Sequence, residues 1–127
     1  MARILLAEDD DSLRAFLVSS LSRAGHDVTG FGDGDAAWEA LEHGSFDLLL
    51  TDIVMPGPMK GPEIAAEARR LSPAIKVIYT TGYAQQAALA NADLPADAPV
   101  LSKPYRRATL ARLLRSVLEP SRRMQTA

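Results

Sequence analysis

Short apolar runs alternate with amphipathic stretches along the chain. A continuous apolar run such as residues 4–7, Ile-Leu-Leu-Ala, predicts a strand that is covered on both faces. Stretches with apolar residues at helical spacing predict helices. The predicted strands are residues 4–7, 27–31, 46–51, 75–80 and 100–102. The predicted helices are residues 11–24, 35–42, 63–71, 84–92 and 106–118.

Some local details follow from the same pattern. The first helix is expected to bury one face, formed by Leu13, Phe16, Leu17 and Leu21. Ser12 lies near the N-cap position of this helix, and Gly25 ends it. Residues 55–62 are rich in proline and glycine, so we expect a loop without regular structure there.

The order of elements predicts the fold class. Strands that alternate with helices indicate βαβ units, and right-handed crossovers restrict these to a doubly wound sandwich around a parallel sheet. A chain of 127 residues fits one domain. The sequence therefore predicts an α/β domain at residues 1–120, followed by a flexible tail at residues 121–127.

The composition excludes several kinds of site. A net charge of −2 gives no electrostatic indication of binding to nucleic acid or to an anionic membrane. The chain has no cysteine, which excludes disulfides and thiolate chemistry, and its 2 histidines are too few for a multi-histidine metal site. No apolar run approaches the ~20 residues that span a bilayer, and the N-terminus does not resemble a signal peptide. We therefore expect a cytoplasmic domain.

Polar residues follow four of the five predicted strands. These segments are Glu8-Asp9-Asp10-Asp11, Thr51-Asp52, Thr80-Thr81-Gly82 and Ser102-Lys103-Pro104. Because the site of an open α/β sheet lies outside the carboxyl ends of its strands, these groups should converge on one edge. Clustered carboxylates repel one another unless a cation lies among them, and oxygen ligands suit Mg²⁺. A phosphate there would also find a lysine and a hydroxyl donor, so the pattern indicates phosphoryl chemistry.

Four motifs resemble the response-regulator receiver family in order and spacing. They are Ile4-Leu5-Leu6-Ala7-Glu8-Asp9-Asp10, Leu49-Leu50-Thr51-Asp52-Ile53-Val54-Met55-Pro56, Thr80-Thr81-Gly82 and Ser102-Lys103-Pro104. The resemblance covers residues 2–119 and implies a flavodoxin-like (βα)₅ sandwich with strand order 2-1-3-4-5. It also implies a function in two-component signalling. A phosphohistidine kinase or a histidine phosphotransferase would phosphorylate the domain with Mg²⁺, and a protein-binding surface would then switch.

The resemblance also implies a role for each site residue. Asp52 would be the phosphoacceptor, with Thr81 bonding a phosphoryl oxygen and Lys103 pairing with the phosphate. The metal ligands would be Glu8, Asp9, Asp52 and the backbone carbonyl of Val54, with Asp9 the more direct acid of the first pair. Pro104 would shape the turn after Lys103 through a cis peptide bond. Such a domain is a signalling phosphoacceptor and not an enzyme, apart from its own phosphorylation and slow autodephosphorylation.

The sequence departs from the family pattern in three places. The usual aromatic switch position is Val100, and the loop after Pro56 is one residue longer, with Lys60 where an acid is usual. Thr81 is followed by Gly82-Tyr83, as in receivers of hybrid histidine kinases, whereas the opening segment resembles stand-alone regulators, which we favour. Without the switch aromatic, we expect phosphorylation to order the helix at residues 84–92. The alternative output surface is the loop at 55–61.

Other readings of these residues stay open. Asp10 and Asp11 fit the acidic start of a helix, and Thr80 fits an ordinary strand residue. A phosphohydrolase is an alternative function, but its second aspartate would stand at Val54, which cannot transfer protons. A phosphate-independent interaction module is another, and the complete acid, hydroxyl and lysine set argues against it.

Overall fold

The computed structural model describes residues 2–82, 94 and 98–118. The strands are β1 (Arg3–Ala7), β2 (Asp27–Phe31), β3 (Leu48–Asp52), β4 (Lys76–Thr81) and β5 (Val100–Ser102). The helices are α1 (Asp11–Arg23), α2 (Gly34–His43), α3 (Gly61–Leu71) and α4 (Arg107–Leu118). The predicted helix at 84–92 and the predicted tail at 121–127 lie outside the described residues.

The strands form one parallel sheet in the order β2-β1-β3-β4-β5. This order and the α/β class confirm the prediction. β3 lies in the centre, and each of its five residues is buried. A central strand of a doubly wound sheet is covered on both faces, which explains its unbroken apolar run. The carboxyl ends of β1, β3, β4 and β5 therefore meet along one edge.

Two apolar layers cover the sheet. Leu49, Tyr79 and other residues of one face pack with α2 and α3 through Ala37, Leu41, Ile64, Ala65 and Ala68. The opposite face, which includes Leu50 and Ile78, packs with α1 and α4 through Leu17, Leu21, Leu110 and Leu114. Alternate residues of each strand enter opposite layers, so the parity of a residue determines which helices it meets. In the part of the chain that the structure describes, no helix is long and apolar enough to cross a membrane.

Two predictions about α1 were wrong. Phe16 does not lie on the buried face: it is 46% exposed, and the guanidinium of Arg107 stacks over its ring at 5.7 Å. Leu17 and Leu21, four residues apart, define the buried stripe, and Phe16 is rotated away from it. The N-cap is Asp10 and not Ser12, since Asp10 Oδ1 accepts a hydrogen bond from the Leu13 amide at 3.0 Å.

The loop after β3 is shorter than predicted because α3 begins at Gly61 instead of residue 63. Pro62 falls in the first helical turn, where an amide hydrogen has no intrahelical partner, so it does not disturb the helix. Gly61 comes so close to the carbonyl oxygen of Asp52 that a Cβ would overlap it. A glycine here thus lets α3 start directly beside the end of β3.

Candidate functional site

The site lies at the carboxyl edge of the sheet, where a lysine joins two buried carboxylates. Lys103 Nζ lies 2.7 Å from Glu8 Oε1 and 2.8 Å from Asp52 Oδ2. Glu8 follows β1, Asp52 ends β3 and Lys103 follows β5, so the lysine side chain crosses the end of β4 to reach them. The Lys103 amide donates to the Thr81 carbonyl at 2.7 Å, and the Lys103–Pro104 peptide is cis, as the resemblance implied.

A third carboxylate completes the acid cluster. Carboxylate oxygens of Glu8, Asp9 and Asp52 lie within 4.8 Å of one another. Glu8 and Asp52 are buried, whereas Asp9 is exposed. The three predicted acids therefore meet at one point, with Asp9 on its solvent side.

One oxygen of Asp52 has no partner. Asp52 Oδ2 is bonded to Lys103, but Oδ1 is buried and has no partner among the described residues at full hydrogen-bonding distance and angle. The backbone amide of Val54 is near enough to this carboxylate to lower its pKa. Buried polar oxygens normally have a partner, so an oxygen like this one indicates a ligand position. With all groups ionised, three carboxylates and one ammonium carry a formal charge of −2 (−3 + 1). A cluster of carboxylates with this charge fits a divalent cation with oxygen ligands.

The pKa values of Glu8, Asp52 and Lys103 are set first by burial and then by the charges of their neighbours. Burial raises the pKa of the Asp52 carboxyl, and Lys103 opposes this rise only in part. Burial likewise raises the pKa of Glu8, and the neighbouring Asp52 charge adds to the rise. Burial alone would lower the pKa of Lys103, but the hydrogen bonds to both carboxylates outweigh it and raise the pKa. The lysine thus stays charged, while its two partners bind protons more readily than exposed acids.

The two remaining predicted site residues, Thr81 and Val54, lie at the end of β4 and in the loop after β3. Thr81 ends β4 and is fully buried, and its Oγ1 donates to the Gly82 carbonyl over a long 3.4 Å. Thr80, and not Thr81, is the register partner of Asp52. Val54 is half-buried in the loop after β3 and packs against the core on the α2 and α3 side.

Arg14 contacts the site, although no motif in the sequence indicated it. Its Nη1 donates to the backbone carbonyl of Glu8 at 2.9 Å, and its Nη2 donates to Asp11 Oδ1 at 2.6 Å. Arginine and aspartate three residues apart on a helix meet on one face, which is a signal the sequence contained. That the other nitrogen would reach Glu8 is a feature of the tertiary structure.

A buried tyrosine lies beside the position where the family pattern has its switch aromatic. Tyr79 is the register partner of Val100 and is fully buried, and its hydroxyl accepts a hydrogen bond from Arg69 Nη2 at 3.2 Å. An aromatic ring therefore fills this layer from β4 instead of β5. Tyr83 and the rest of the segment expected to respond to phosphorylation lie outside the described residues.

Lys60, which stands where the family pattern has an acid, makes two hydrogen bonds near the start of α3. The Lys60 ammonium donates to the Met55 carbonyl at 2.8 Å, and its backbone amide donates to Glu63 Oε1 at 3.1 Å. Lys60 therefore closes its own loop, and Glu63 serves the start of α3.

Comparison with known proteins agrees with this geometry. The family described as the response regulator receiver domain matches residues 4–115. The chain therefore belongs to the response regulator receiver domain family. Receiver domains are components of two-component systems and are phosphorylated by histidine kinases.

Two relatives from Brucella abortus (strain 2308) illustrate the two contexts of such domains. The response regulator receiver protein CpdR is 50% identical over 105 residues, which are 83% of this chain and 87% of that protein. The sensor kinase CckA is 38% identical over 122 residues, which are 93% of this chain and 13% of that protein.

Solved structures share the fold. A response regulator receiver protein from Sinorhizobium medicae WSM419 matches with a TM-score of 0.82 at 33% identity, covering 93% of this chain and 94% of that chain. The response regulator TrrA from Thermotoga maritima, solved in complex with Mg(2+)-BeF, matches with a TM-score of 0.75 at 27% identity. That match covers 93% of this chain and 100% of the TrrA chain.

Proposed function

We propose that this domain accepts a phosphoryl group on Asp52 and uses the phosphorylated state to switch a protein-binding surface. The observation that carries the proposal is the unpartnered, buried Oδ1 of Asp52 beside a charged lysine and two further carboxylates. The donor is the phosphohistidine of a sensor kinase or of a histidine phosphotransferase. The domain is a signalling phosphoacceptor, and the only reactions it catalyses are its own phosphorylation and slow dephosphorylation.

Asp52 supplies the nucleophile. One carboxylate oxygen forms the new bond to phosphorus while the bond from phosphorus to the donor's imidazole nitrogen breaks, and that nitrogen takes up a proton. Oδ1 is free for this step because Lys103 already bonds Oδ2. The lysine also fixes the orientation of the carboxylate, since its ammonium is anchored to Glu8 at 2.7 Å.

Lys103 and Thr81 stabilise the product. The ammonium lies 2.8 Å from Asp52, so it can pair with a phosphoryl oxygen without crossing the site. Thr81 ends the neighbouring strand, and its weak 3.4 Å bond to Gly82 can be exchanged for a bond to the phosphoryl group. Because that exchange turns the Thr81 side chain, it connects phosphorylation with the segment after β4.

Glu8, Asp9, Asp52 and the carbonyl of Val54 are the groups that would hold Mg²⁺. The cluster of three carboxylates and its formal charge support this, as does the Mg(2+)-BeF complex of TrrA. Bound Mg²⁺ supplies the positive charge that neutralises the carboxylates and the transferring phosphoryl oxygens. Asp9, the exposed member, lies where an incoming ion meets the site first.

The likeness to CpdR along 87% of that protein supports a stand-alone regulator over a receiver excised from a hybrid kinase. We place the domain in the cytoplasm, where receivers meet their kinases. A phosphohydrolase remains the less favoured alternative, since Val54 offers no acid or base two residues after Asp52.

Intact-mass measurement after incubation with acetyl phosphate and MgCl₂ tests the proposal. Wild type should gain one phosphoryl group, and Asp52→Asn should gain none. Asp27→Asn, which changes an exposed aspartate at the opposite edge of the sheet, is the matched control and should behave as wild type. Equal incorporation in wild type and Asp52→Asn would overturn the assignment.

A further inference from the structure

A clamp on the peptide between Glu8 and Asp9 lies on the side of the site opposite to Lys103. Arg14 Nη1 donates to the carbonyl oxygen of Glu8 at 2.9 Å. Its other terminal nitrogen is held by Asp11 at 2.6 Å, so the guanidinium is fixed between two acceptors. Only 25% of the Arg14 side chain is exposed.

This contact determines where Asp9 stands. Among the described residues the Asp9 side chain makes no hydrogen bond or ion pair, so only its backbone positions the carboxylate. A peptide unit is planar, and fixing the carbonyl oxygen of Glu8 therefore fixes the plane that leads into Asp9. The rest of the turn is anchored separately, since the Glu8 amide donates to the Phe31 carbonyl at 3.0 Å and the Asp10 amide to Glu8 Oε2 at 3.0 Å.

Two glycines leave room for the arginine. A Cβ at Gly32 would lie 2.9 Å from Arg14 Nη1, and a Cβ at Gly30 would lie 3.1 Å from Val18 Cγ2 and 3.2 Å from Arg14 Cγ. The side chain thus extends over the end of β2, which carries no side chain at these two positions. The space that Arg14 needs therefore explains why glycine occurs at positions 30 and 32, although β2 contributes no chemical group to the site.

We propose that Arg14 is a positioning residue that sets the affinity of the acid cluster for Mg²⁺ by orienting the Glu8–Asp9 peptide, with Gly30 and Gly32 forming its channel. The proposal rests on the proposed function of the cluster as a Mg²⁺ site. It assigns Arg14 no contact with the phosphoryl group. Its effect should therefore be seen in metal binding and not in the transfer step itself.

The test is a Mg²⁺ titration followed by the backbone amide signals of residues 8–10 in NMR spectra. Arg14→Ala should weaken Mg²⁺ binding about tenfold, as removal of outer-shell partners commonly does. Arg14→Lys keeps a donor and a charge and should recover part of that loss. Arg23→Ala changes an exposed arginine in the last turn of the same helix and should leave the affinity unchanged.

Gly32→Ala probes the channel without removing any polar group. Its methyl group should displace the guanidinium and weaken Mg²⁺ binding in the wild-type background, yet have no further effect when combined with Arg14→Ala. Additive losses of Mg²⁺ affinity in the double variant would show that Gly32 acts independently of Arg14, and would overturn the claim that Gly32 makes room for the arginine.

The rate of phosphorylation by acetyl phosphate separates positioning from catalysis. Arg14→Ala should be slow at low Mg²⁺ and approach the wild-type rate at saturating Mg²⁺. An unchanged Mg²⁺ affinity, or a rate lowered equally at every Mg²⁺ concentration, contradicts the proposal. If wild type takes up no phosphoryl group, the proposed function fails, whereas the Mg²⁺ titration still measures the role of Arg14.

Discussion

Replacing Lys103 with methionine removes the cation that bonds the buried carboxylates of Glu8 and Asp52. Glu8 and Asp52 are each 1% exposed, and both are held by the Lys103 ammonium at 2.7 and 2.8 Å. Methionine has a similar length and no charge, so Lys103→Met isolates the electrostatic contribution. We expect the variant to fold but to be strongly destabilised at neutral pH without Mg²⁺.

The magnitude can be approached in two ways. Removing one partner of a buried ion pair costs about 3–5 kcal/mol. Alternatively, the variant can keep one carboxyl protonated. At pH 7 this costs about 1.4 kcal/mol for each of the ~3 units above an ordinary carboxyl pKa, which sets an upper limit of ~4 kcal/mol because both pKa values are already raised in wild type. The two figures agree. Because the second cost falls with pH, the loss should shrink to ~1.4 kcal/mol at pH 5.

Urea unfolding in EDTA, followed by the fluorescence of Trp38, measures these differences; Trp38 is the only tryptophan of the chain. Lys60→Met is the matched control, since the Lys60 ammonium bonds the Met55 carbonyl and not an acid; it should cost under ~1 kcal/mol at both pH values. A loss in Lys103→Met below ~1 kcal/mol at pH 7, or one equal at pH 5 and pH 7, would refute the charge argument.

Three further predictions follow from the same site. Mg²⁺ at ten times its dissociation constant should stabilise the native state by ~1.4 kcal/mol, seen as a higher melting temperature, and Asp9→Ala should lose most of that shift. In EDTA, the raised pKa values of Glu8 and Asp52 should contribute stability that is fully present below the ordinary carboxyl pKa and is lost as the pH rises through the raised pKa values. The urea midpoint of Asp52→Asn should therefore fall less with pH than that of wild type, and parallel pH profiles would contradict this. Tyr79→Phe removes the bond from Arg69 and should cost about 1 kcal/mol in urea unfolding, and an unchanged midpoint would show that the bond contributes nothing.

The periodicity of the chain predicted most of the fold. The apolar runs of β1, β3 and β4 reflect burial on both sheet faces, a property that depends little on the details of packing. Boundaries were less predictable where one side chain decides them. Residues 55–62 were predicted to be a loop, yet Pro62 occupies the first turn of α3. Phe16 was assigned to the buried face, because an apolar residue one position off the stripe cannot be told from one on it without the opposing helix.

The sequence alone identified the acid cluster, because each strand end carries its polar residues directly and parallel strands bring those ends together. The tertiary structure decided how these groups pair. It showed that Lys103 is shared between Glu8 and Asp52, which leaves Oδ1 of Asp52 without a partner. It also showed that Arg14 reaches the Glu8 carbonyl over a strand end occupied by glycine. Such contacts join residues from different elements, and their distances depend on helix placement and side-chain conformation, which the pattern of residues along a chain does not encode.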